Sequence, residues 1–197
     1  MKFFDEKHLQ KYLKCLKDGG VFAYPTDTVW GIGCLPDCEK ACKKIYNIKK
    51  RDGAKPLILM AASVKDFLPY IEQISPSMQK LVKKHWPGGL TIVVKKSSKL
   101  PDYVTSKMDT VGLRIPNHPV LIEFLRYSGP LATTSANISG EPSALTFEEA
   151  KKCVGDEVDF ILEDFGYPAQ GLASTVVLAD GDGYKILRHG AIKILSL

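Results

Sequence analysis

Residues 21–33 have the sequence VFAYPTDTVWGIG, and the prediction of the fold starts from this stretch. Val21 to Tyr24 is an apolar run with the length of a short buried strand, and the proline that follows ends it. After a polar loop, Val29 to Gly33 is expected to form a second segment of the sheet. Upstream, Asp5 to Asp18 has leucines at helical spacing and is followed by two glycines, which predicts an amphipathic helix. The chain is therefore expected to begin with a helix that leads into a sheet.

The rest of the chain alternates between helical and strand patterns. Helices are predicted over 37–50, in a short segment capped by Ser63, and over 75–85, 118–127 and 146–153. Strands are predicted over 57–61, 90–95, 111–115, 131–133, 158–162, 174–178 and 184–187. Polar loops are expected between 95 and 111 and over 134–144, and Asp180-Gly181-Asp182-Gly183 is a hairpin signal. The pattern predicts an α/β fold with a mixed parallel and antiparallel sheet flanked by helices, in one domain spanning 1–197.

The composition and charge restrict the class of protein. Hydrophobic residues make up 45% and charged residues 25%, as in soluble globular proteins. No apolar run approaches the roughly 20 residues of a membrane helix, and the N-terminus is too polar for a secretory signal. We therefore expect a cytoplasmic protein without membrane association. Residues 1–108 contain 20 Lys and Arg against 10 Asp and Glu, whereas 109–197 contain 7 against 12. A basic half suits ATP or RNA, although lysines that only solvate helix faces give the same signal.

Five cysteines, Cys15, Cys34, Cys38, Cys42 and Cys153, are odd in number and too sparse for a disulfide scaffold. Three of them fall four residues apart, which on one helix would align three thiolates for zinc or an iron–sulfur cluster. A glycine and a proline near the first of the three argue against a single helix, and no fourth ligand is close in sequence. We therefore favour small core residues over a metal site and predict no bound metal.

Standard catalytic and nucleotide-binding motifs are missing. Gly31-Ile32-Gly33 lacks the third glycine of the dinucleotide fingerprint, and no GxxxxGK(S/T), GxSxG or HExxH occurs. The polar residues are instead clustered beside strand ends. In Pro25–Gly33, two threonine hydroxyls can bind an amino-acid side chain or a phosphate, and the glycines can let a ligand approach the backbone. An ordinary turn is the alternative interpretation.

Cationic residues form two further candidate sites. Lys49–Pro56 is a loop with four cationic residues, which suits a triphosphate, and the Arg51 guanidinium can donate two parallel hydrogen bonds to it. A lysine-rich helix end favoured by the helix dipole is the alternative, but it covers only Lys49 and Lys50. Arg114 interrupts an apolar strand, and a buried arginine needs an anionic partner. That partner is either a substrate carboxylate or a buried structural acid.

Hydroxyl-rich segments complete the set of clusters. Thr133–Ser143 contains five hydroxyls and an amide directly after a predicted strand. Small donors and exposed backbone N–H groups of this kind can form a cradle for a phosphate or an adenylate. The last cluster pairs Ser174-Thr175 with Leu187–Gly190.

Taken in order, these segments resemble the YrdC/TsaC family of threonylcarbamoyl-adenylate synthases from about Val21 to Ile192. The matching segments are PTDTVWGIG, KxR at Lys49 and Arg51, KPL, PGGLT, VGLRIP, TSANISG, STVV and LRHGAI. The KxR and SxN elements are specific when they occur together in this order. The resemblance implies a single YrdC-like domain built on a twisted mixed sheet with a basic concave face.

The resemblance also implies roles for individual side chains. As catalytic cations it implies Lys49 and Arg51. As threonine-binding residues it implies Thr28, Arg114, Thr133 and Ser174. As nucleotide-binding residues it implies Arg51, Lys55, Thr110, Ser135, Asn137, Ser143 and Arg188. The chain departs from the common pattern at Trp30, Met60, Leu178 and His189. Met60, where a histidine that helps bind threonine is common, bears most directly on the amino-acid pocket.

The implied reaction joins L-threonine, bicarbonate and ATP, with Mg²⁺ bound to the ATP. Threonine's amine captures carbon dioxide, and the carbamate oxygen attacks the α-phosphorus to give threonylcarbamoyl-AMP and pyrophosphate. The product serves threonylcarbamoyladenosine modification of tRNA next to the anticodon, through a downstream threonylcarbamoyl-transfer complex. Direct contact with tRNA or double-stranded RNA is optional in this scheme. A non-catalytic RNA-binding member, a carbamoyl-phosphate-dependent enzyme and a paralogue acting on another amine remain as alternatives.

Overall fold

The computed structural model describes residues 3–50 and 55–194. The strands in this part of the chain are β1 Phe22–Tyr24, β2 Gly31–Cys34, β3 Ile58–Met60, β4 Leu90–Lys95, β5 Thr110–Arg114, β6 Leu131–Ser135, β7 Phe160–Ile161, β8 Thr175–Asp180 and β9 Gly183–Arg188. They form one sheet in the order β7-β1-β2-β6-β3-β5-β4-β8-β9. The pairs β1–β7, β3–β5 and β4–β8 are parallel, and the other neighbouring strands are antiparallel. The predicted mixed sheet is confirmed, while the extent of the domain stays a prediction.

Helices lie on both faces of this sheet. They are α1 Glu6–Lys17, α2 Glu39–Ile48, α3 Pro76–His85, α4 Asp102–Thr105, α5 Pro119–Ser128 and α6 Phe147–Val154, with a 3-10 helix at Val64–Tyr70. The predicted caps are confirmed, because the Thr146 hydroxyl accepts from the Glu149 amide and Ser63 forms a capping box with Asp66. Among the described residues, none of the helices has the length and apolar character that crossing a membrane requires.

The alternation of side chains along the strands separates the larger core from a cavity. Val111 and Leu113 of β5 belong to the larger core, together with side chains of α2, α3 and α6. Thr110, Gly112 and Arg114 of the same strand line a cavity on the opposite face. The strands β3, β4 and β8 show the same alternation. A smaller core beneath α1 and α5 fills another part of the cavity face.

Several predicted boundaries were wrong. β6 continues to Ser135, so Thr134 and Ser135 are in a strand and not in the predicted loop. Their small polar side chains suggested a loop, but Thr134 pairs with Ile32 of β2 and Ser135 with Gly31. The second strand begins at Gly31 rather than at Val29. The polar loop before β5 contains the four-residue helix α4, which is too short to give a periodic pattern.

Candidate active site

A cavity of about 430 Å³ lies on the face of the sheet that α2, α3 and α6 leave open. Seven of the predicted site residues line it, although they are spread over more than half of the sequence. These residues are Thr28, Thr110, Arg114, Thr133, Ser135, Ser174 and Arg188. The sheet order brings them together, because β2, β6, β3, β5, β4 and β8 are consecutive neighbours. These seven residues, from four of the five clusters recognised in the sequence, therefore border one cavity.

Arg114 borders the cavity and is held there by three hydrogen bonds. Its Nη2 donates to Asp27 Oδ1 at 2.5 Å, its Nη1 to Thr28 Oγ1 at 2.6 Å, and its Nε to the Gly88 carbonyl oxygen at 3.0 Å. The Arg114 and Asp27 side chains are only 4% and 9% exposed. Burial lowers the pKa of Arg114 from its ordinary value, and the Asp27 carboxylate opposes that shift. Asp27 is thus the buried structural acid that the sequence left as an alternative, while Arg114 still borders the cavity.

The Pro25–Val29 loop is fixed by its own hydroxyls. Thr26 Oγ1 donates to the Val29 carbonyl oxygen at 2.7 Å and accepts from the Thr28 amide at 3.0 Å. Both threonines are buried, so the loop presents Thr28 in one position beside Arg114. The turn and the site are therefore the same structure, and the two interpretations of this segment do not exclude one another.

Arg188 of β9 also borders the cavity and keeps contact with solvent. Its Nη2 and Nε donate to the Ser174 carbonyl oxygen at 2.8 and 3.2 Å, and the Ser174 hydroxyl lies 2.8 Å from Thr91 Oγ1. Partial burial lowers the pKa of Arg188 from its ordinary value. Among the described residues no acid forms an ion pair with it. Its charge is therefore available to an anionic ligand.

The rest of the cavity wall combines hydroxyl groups with apolar side chains. Ile58, Met60, Val93 and Val176 supply the apolar part of the wall. A largely apolar pocket with a few placed polar groups is typical of a site for a small organic molecule. The two arginines suit anionic groups on that molecule. The wider basic concave face stays a prediction.

Comparison with known proteins identifies the family. The Sua5_yciO_yrdC family, described as telomere recombination, matches residues 14–190. The chain belongs to the Sua5/YciO/YrdC family. It is 35% identical over 187 residues to the threonylcarbamoyl-AMP synthase of Vibrio campbellii, covering 93% of this chain and all of that protein. The predicted resemblance is thereby confirmed.

Solved structures of the Sua5/YciO/YrdC family have the same fold. The P. abyssi Sua5 structure complexed with L-threonine is 31% identical, with a TM-score of 0.88 over 96% of this chain. The chain spans 56% of that Sua5 chain. The E. coli YciO structure is 24% identical, with a TM-score of 0.83 over 94% of this chain and 90% of the other, and supports the fold alone.

Not every predicted site residue borders the cavity. Lys49 and Asn137 lie behind Ser135, with the Lys49 ammonium 2.7 Å from Asn137 Oδ1. Lys55 is exposed and Ser143 half-buried, and neither is among the residues found to line the cavity. Arg51 lies outside the described residues. The catalytic and binding roles of these five residues stay predictions.

Of the two glycines of the GIG segment, Gly31 lines the cavity and Gly33 does not. A Cβ atom at Gly31 would lie 2.9 Å from Tyr24 Cε2, and one at Gly33 would lie 3.0 Å from Tyr24 Oη. The space beside both glycines is thus filled by the Tyr24 ring, and Gly33 does not line the cavity. Tyr24 is fully buried, burial raises its pKa, and its hydroxyl is hydrogen-bonded to Thr133 Oγ1. The expectation that a ligand approaches the backbone at Gly33 was wrong, because the Tyr24 ring fills that space; at Gly31, which lines the cavity, it stays a prediction.

Sequence reasoning missed Thr91 as a site residue. It is buried, lines the cavity and shares a hydrogen bond with Ser174. A signal was present, because a hydroxyl interrupts the apolar strand LTIVV in the same way that Arg114 interrupts β5. Thr26 and Met108 also line the cavity, although neither was singled out as a site residue.

Cysteines do not form a metal site in the described residues. Cys34 and Cys42 are buried in the larger core with their sulfur atoms 3.6 Å apart, whereas Cys38 is half-buried at the N-cap of α2. The hydrogen bond to the Cys42 sulfur, together with burial, raises the pKa of Cys34. In the described ranges, no three His, Cys, Asp or Glu side chains are placed to hold a metal ion. The interpretation of Cys34 and Cys42 as core residues is confirmed.

Proposed function

We propose that this protein is an L-threonylcarbamoyladenylate synthase, a nucleotidyltransferase. It forms threonylcarbamoyl-AMP and pyrophosphate from L-threonine, bicarbonate and ATP. The observation that carries the proposal is the convergence of Thr28, Arg114, Thr133 and Ser174 on one cavity that also holds Arg188. The P. abyssi relative whose structure contains L-threonine has the same fold, which supports an amino-acid site in this cavity.

Arg114 is proposed to bind the carboxylate of threonine. Three of the five N–H groups of its guanidinium donate to Asp27, Thr28 and a backbone carbonyl, which leaves two for a ligand. Because the guanidinium is fixed before the ligand arrives, little side-chain entropy is lost on binding. The hydroxyls of Ser174 and Thr133 lie in the same cavity and can complete the amino-acid site.

The phosphate groups of ATP are proposed to lie beside Arg188. Its guanidinium has no ion-pair partner among the described residues, and a phosphate oxygen would supply one. In the reaction, the carbamate oxygen attacks the α-phosphorus while pyrophosphate leaves, so negative charge is concentrated at the phosphate groups. Arg188, with Arg51 and Lys55 from the predicted KxR loop, would stabilise that charge.

Positioning of the reactants is proposed to contribute most of the catalysis. The carbamate forms from threonine's amine and carbon dioxide, and the step needs no protein nucleophile. A cavity that orients the carbamate towards the α-phosphorus and limits access of water would favour the reaction. We propose that Mg²⁺ reaches the site bound to the triphosphate of ATP.

The biological context forms part of the same proposal. The product would pass to a downstream threonylcarbamoyl-transfer complex that modifies tRNA next to the anticodon, and direct binding of tRNA or double-stranded RNA is optional. A cytoplasmic location is proposed, because ATP and tRNA are both available there. The Vibrio relative is named for the same product.

One observation favours a second candidate substrate. Met60 is 4% exposed, lines the cavity and pairs in register with Arg114 on the neighbouring strand. An apolar side chain beside the proposed carboxylate site would favour an amino acid with an apolar side chain, such as valine. A family member with that substrate would be a paralogue with the same chemistry.

The experiment that tests both candidates is amino-acid-dependent release of pyrophosphate. The protein is incubated with ATP, Mg²⁺ and bicarbonate, and with threonine, serine, valine or no amino acid. Threonine-dependent release supports the synthase, and faster release with valine supports the paralogue. Arg188→Met is expected to reduce the rate by roughly 100-fold, because a cation beside the transferring group is lost. Arg126→Met removes an exposed arginine from α5 and is the matched control. Equal release under all four conditions would contradict both candidates.

A further inference from the structure

The side-chain amide of Asn137 has no hydrogen-bonding capacity left for a substrate. Its Nδ2 donates to the carbonyl oxygens of Ile138 at 3.0 Å and Glu141 at 2.6 Å. Its Oδ1 accepts from Lys49 Nζ at 2.7 Å and from Ser135 Oγ at 2.6 Å. A carboxamide has two donor hydrogens and two acceptor lone pairs, so all four are used within the protein. Asn137 is also buried and is not among the cavity-lining residues.

The Lys49 side chain contacts Asn137 and Ser135, at the turn that follows β6. Its side chain is buried, and the ammonium donates to the Ser135 carbonyl oxygen at 2.6 Å and to Asn137 Oδ1 at 2.7 Å, with Ser135 Oγ at 3.3 Å. The Lys49 carbonyl oxygen accepts from the Ser139 amide at 3.0 Å. Three acceptor atoms of Ser135 and Asn137 thus lie within hydrogen-bonding distance of the ammonium. Lys49 therefore connects the end of α2 to the end of β6 by hydrogen bonds.

Ser135 is the member of this group that borders the cavity. Its hydroxyl hydrogen is committed to Asn137 Oδ1, and one of its lone pairs faces the Lys49 ammonium. What remains for a ligand is one acceptor lone pair. A phosphate oxygen cannot donate a hydrogen bond to that lone pair, whereas a ribose hydroxyl or the amino group of adenine can.

We propose that Lys49 and Asn137 are positioning residues that act through Ser135, and that Ser135 accepts a hydrogen bond from the nucleoside part of ATP. Lys49 is then a positioning residue that does not contact the phosphates, in contrast to the role of catalytic cation that the resemblance implied. The identity of the ligand rests on the proposed function, but the arrangement of the three side chains does not.

The test compares the binding of adenosine with that of ATP. Dissociation constants for both are measured with the wild type, Lys49→Met, Asn137→Ala and the double variant. If Lys49 acts through Ser135 on the nucleoside, each single variant weakens the binding of adenosine and the binding of ATP by the same factor. That factor is roughly tenfold, for one lost hydrogen bond. The double variant is expected to bind both ligands no more weakly than the single variant with the lower affinity, because the effects of residues that act as a unit are not additive. Ser135→Ala is expected to give the same loss.

Lys96→Met is the matched control for loss of a lysine. Lys96 is also largely buried, at 12% side-chain exposure, and donates to the Leu100 carbonyl oxygen and Asp102 away from the cavity. Both dissociation constants should be unchanged in this variant. Thermal unfolding of every variant separates a loss of binding from a loss of fold.

Two results would overturn the proposal. In one, Lys49→Met weakens ATP and leaves adenosine unchanged, as a direct phosphate contact requires. In the other, the affinity loss of the double variant equals the product of the losses of the two single variants. Binding of both ligands without threonine-dependent pyrophosphate release would contradict the proposed function and leave the positioning role intact if the losses are parallel. A wild type that binds neither adenosine nor ATP would overturn both.

Discussion

Replacing Asp27 by asparagine removes the charge that balances Arg114 and keeps the size of the side chain. The two groups are almost completely buried, with 2.5 Å between Arg114 Nη2 and Asp27 Oδ1. The substitution leaves a buried guanidinium without its carboxylate. We expect it to lower the free energy of unfolding.

The size of the stability loss follows from the surroundings of Arg114. Breaking a buried ion pair by removing one partner costs roughly 3–5 kcal/mol, because an uncompensated charge stays buried. Three features reduce this cost: the asparagine oxygen can still accept from Nη2, the bonds to Thr28 and Gly88 remain, and the cavity can admit water. We therefore expect a loss of about 3 kcal/mol, at the lower end of that range.

Urea unfolding followed by tryptophan fluorescence measures this loss. Asp18→Asn is the control, because the Lys14–Asp18 pair is exposed and its removal should leave the urea midpoint unchanged. Replacing both partners, as Asp27→Leu with Arg114→Met, should restore most of the stability, since no unpaired charge remains. A midpoint for Asp27→Asn equal to that of the Asp18 control would refute the reasoning.

Three further predictions concern stability and reactivity. Gly33→Ala should lower the free energy of unfolding by about 1–3 kcal/mol in urea titration, because its Cβ would lie 3.0 Å from Tyr24 Oη; wild-type stability would contradict this packing. Cys153, which is exposed, should react with a maleimide in the native protein, whereas Cys34 should react only after unfolding, because the hydrogen bond to the Cys42 sulfur, together with burial, raises its pKa. Burial lowers the pKa of His118, so the unfolded state binds a proton more readily and the free energy of unfolding should fall as the pH drops below about 6.5. His118→Gln should reduce this pH dependence. The same dependence of the free energy of unfolding on pH in His118→Gln and in the wild type would contradict the assignment to His118.

Much of the sheet could be predicted because local signals and final pairing agree. β4 has the predicted bounds, since its β-branched run is flanked by glycines on one side and lysines on the other. β6 is longer than predicted, because pairing with β2 recruits Thr134 and Ser135, whose side chains favour loops. Long-range pairing is not visible in the local pattern, and it decided the end of this strand.

The site could be predicted as a set of residues but not as a set of contacts. The order of the motifs identified Thr28, Arg114 and Ser174 as neighbours, and the structure places all three at one cavity. The sequence could not assign Asp27 to Arg114, because many acids could have served as the partner. Nor could it show that the hydrogen bonds of Asn137 are all used within the protein, because one partner, Lys49, is far away in sequence and the other three are set by the local turn.

Detection of the reaction product tests the proposed function most directly. The protein is incubated with ATP, Mg²⁺, L-threonine and isotopically labelled bicarbonate. The small molecules are separated immediately after the incubation, and their masses are measured by mass spectrometry. We predict a conjugate of AMP and threonine that contains the labelled carbon, formed together with pyrophosphate. A conjugate without the label, or AMP and pyrophosphate without any conjugate, would contradict threonylcarbamoyl-AMP synthesis by this protein.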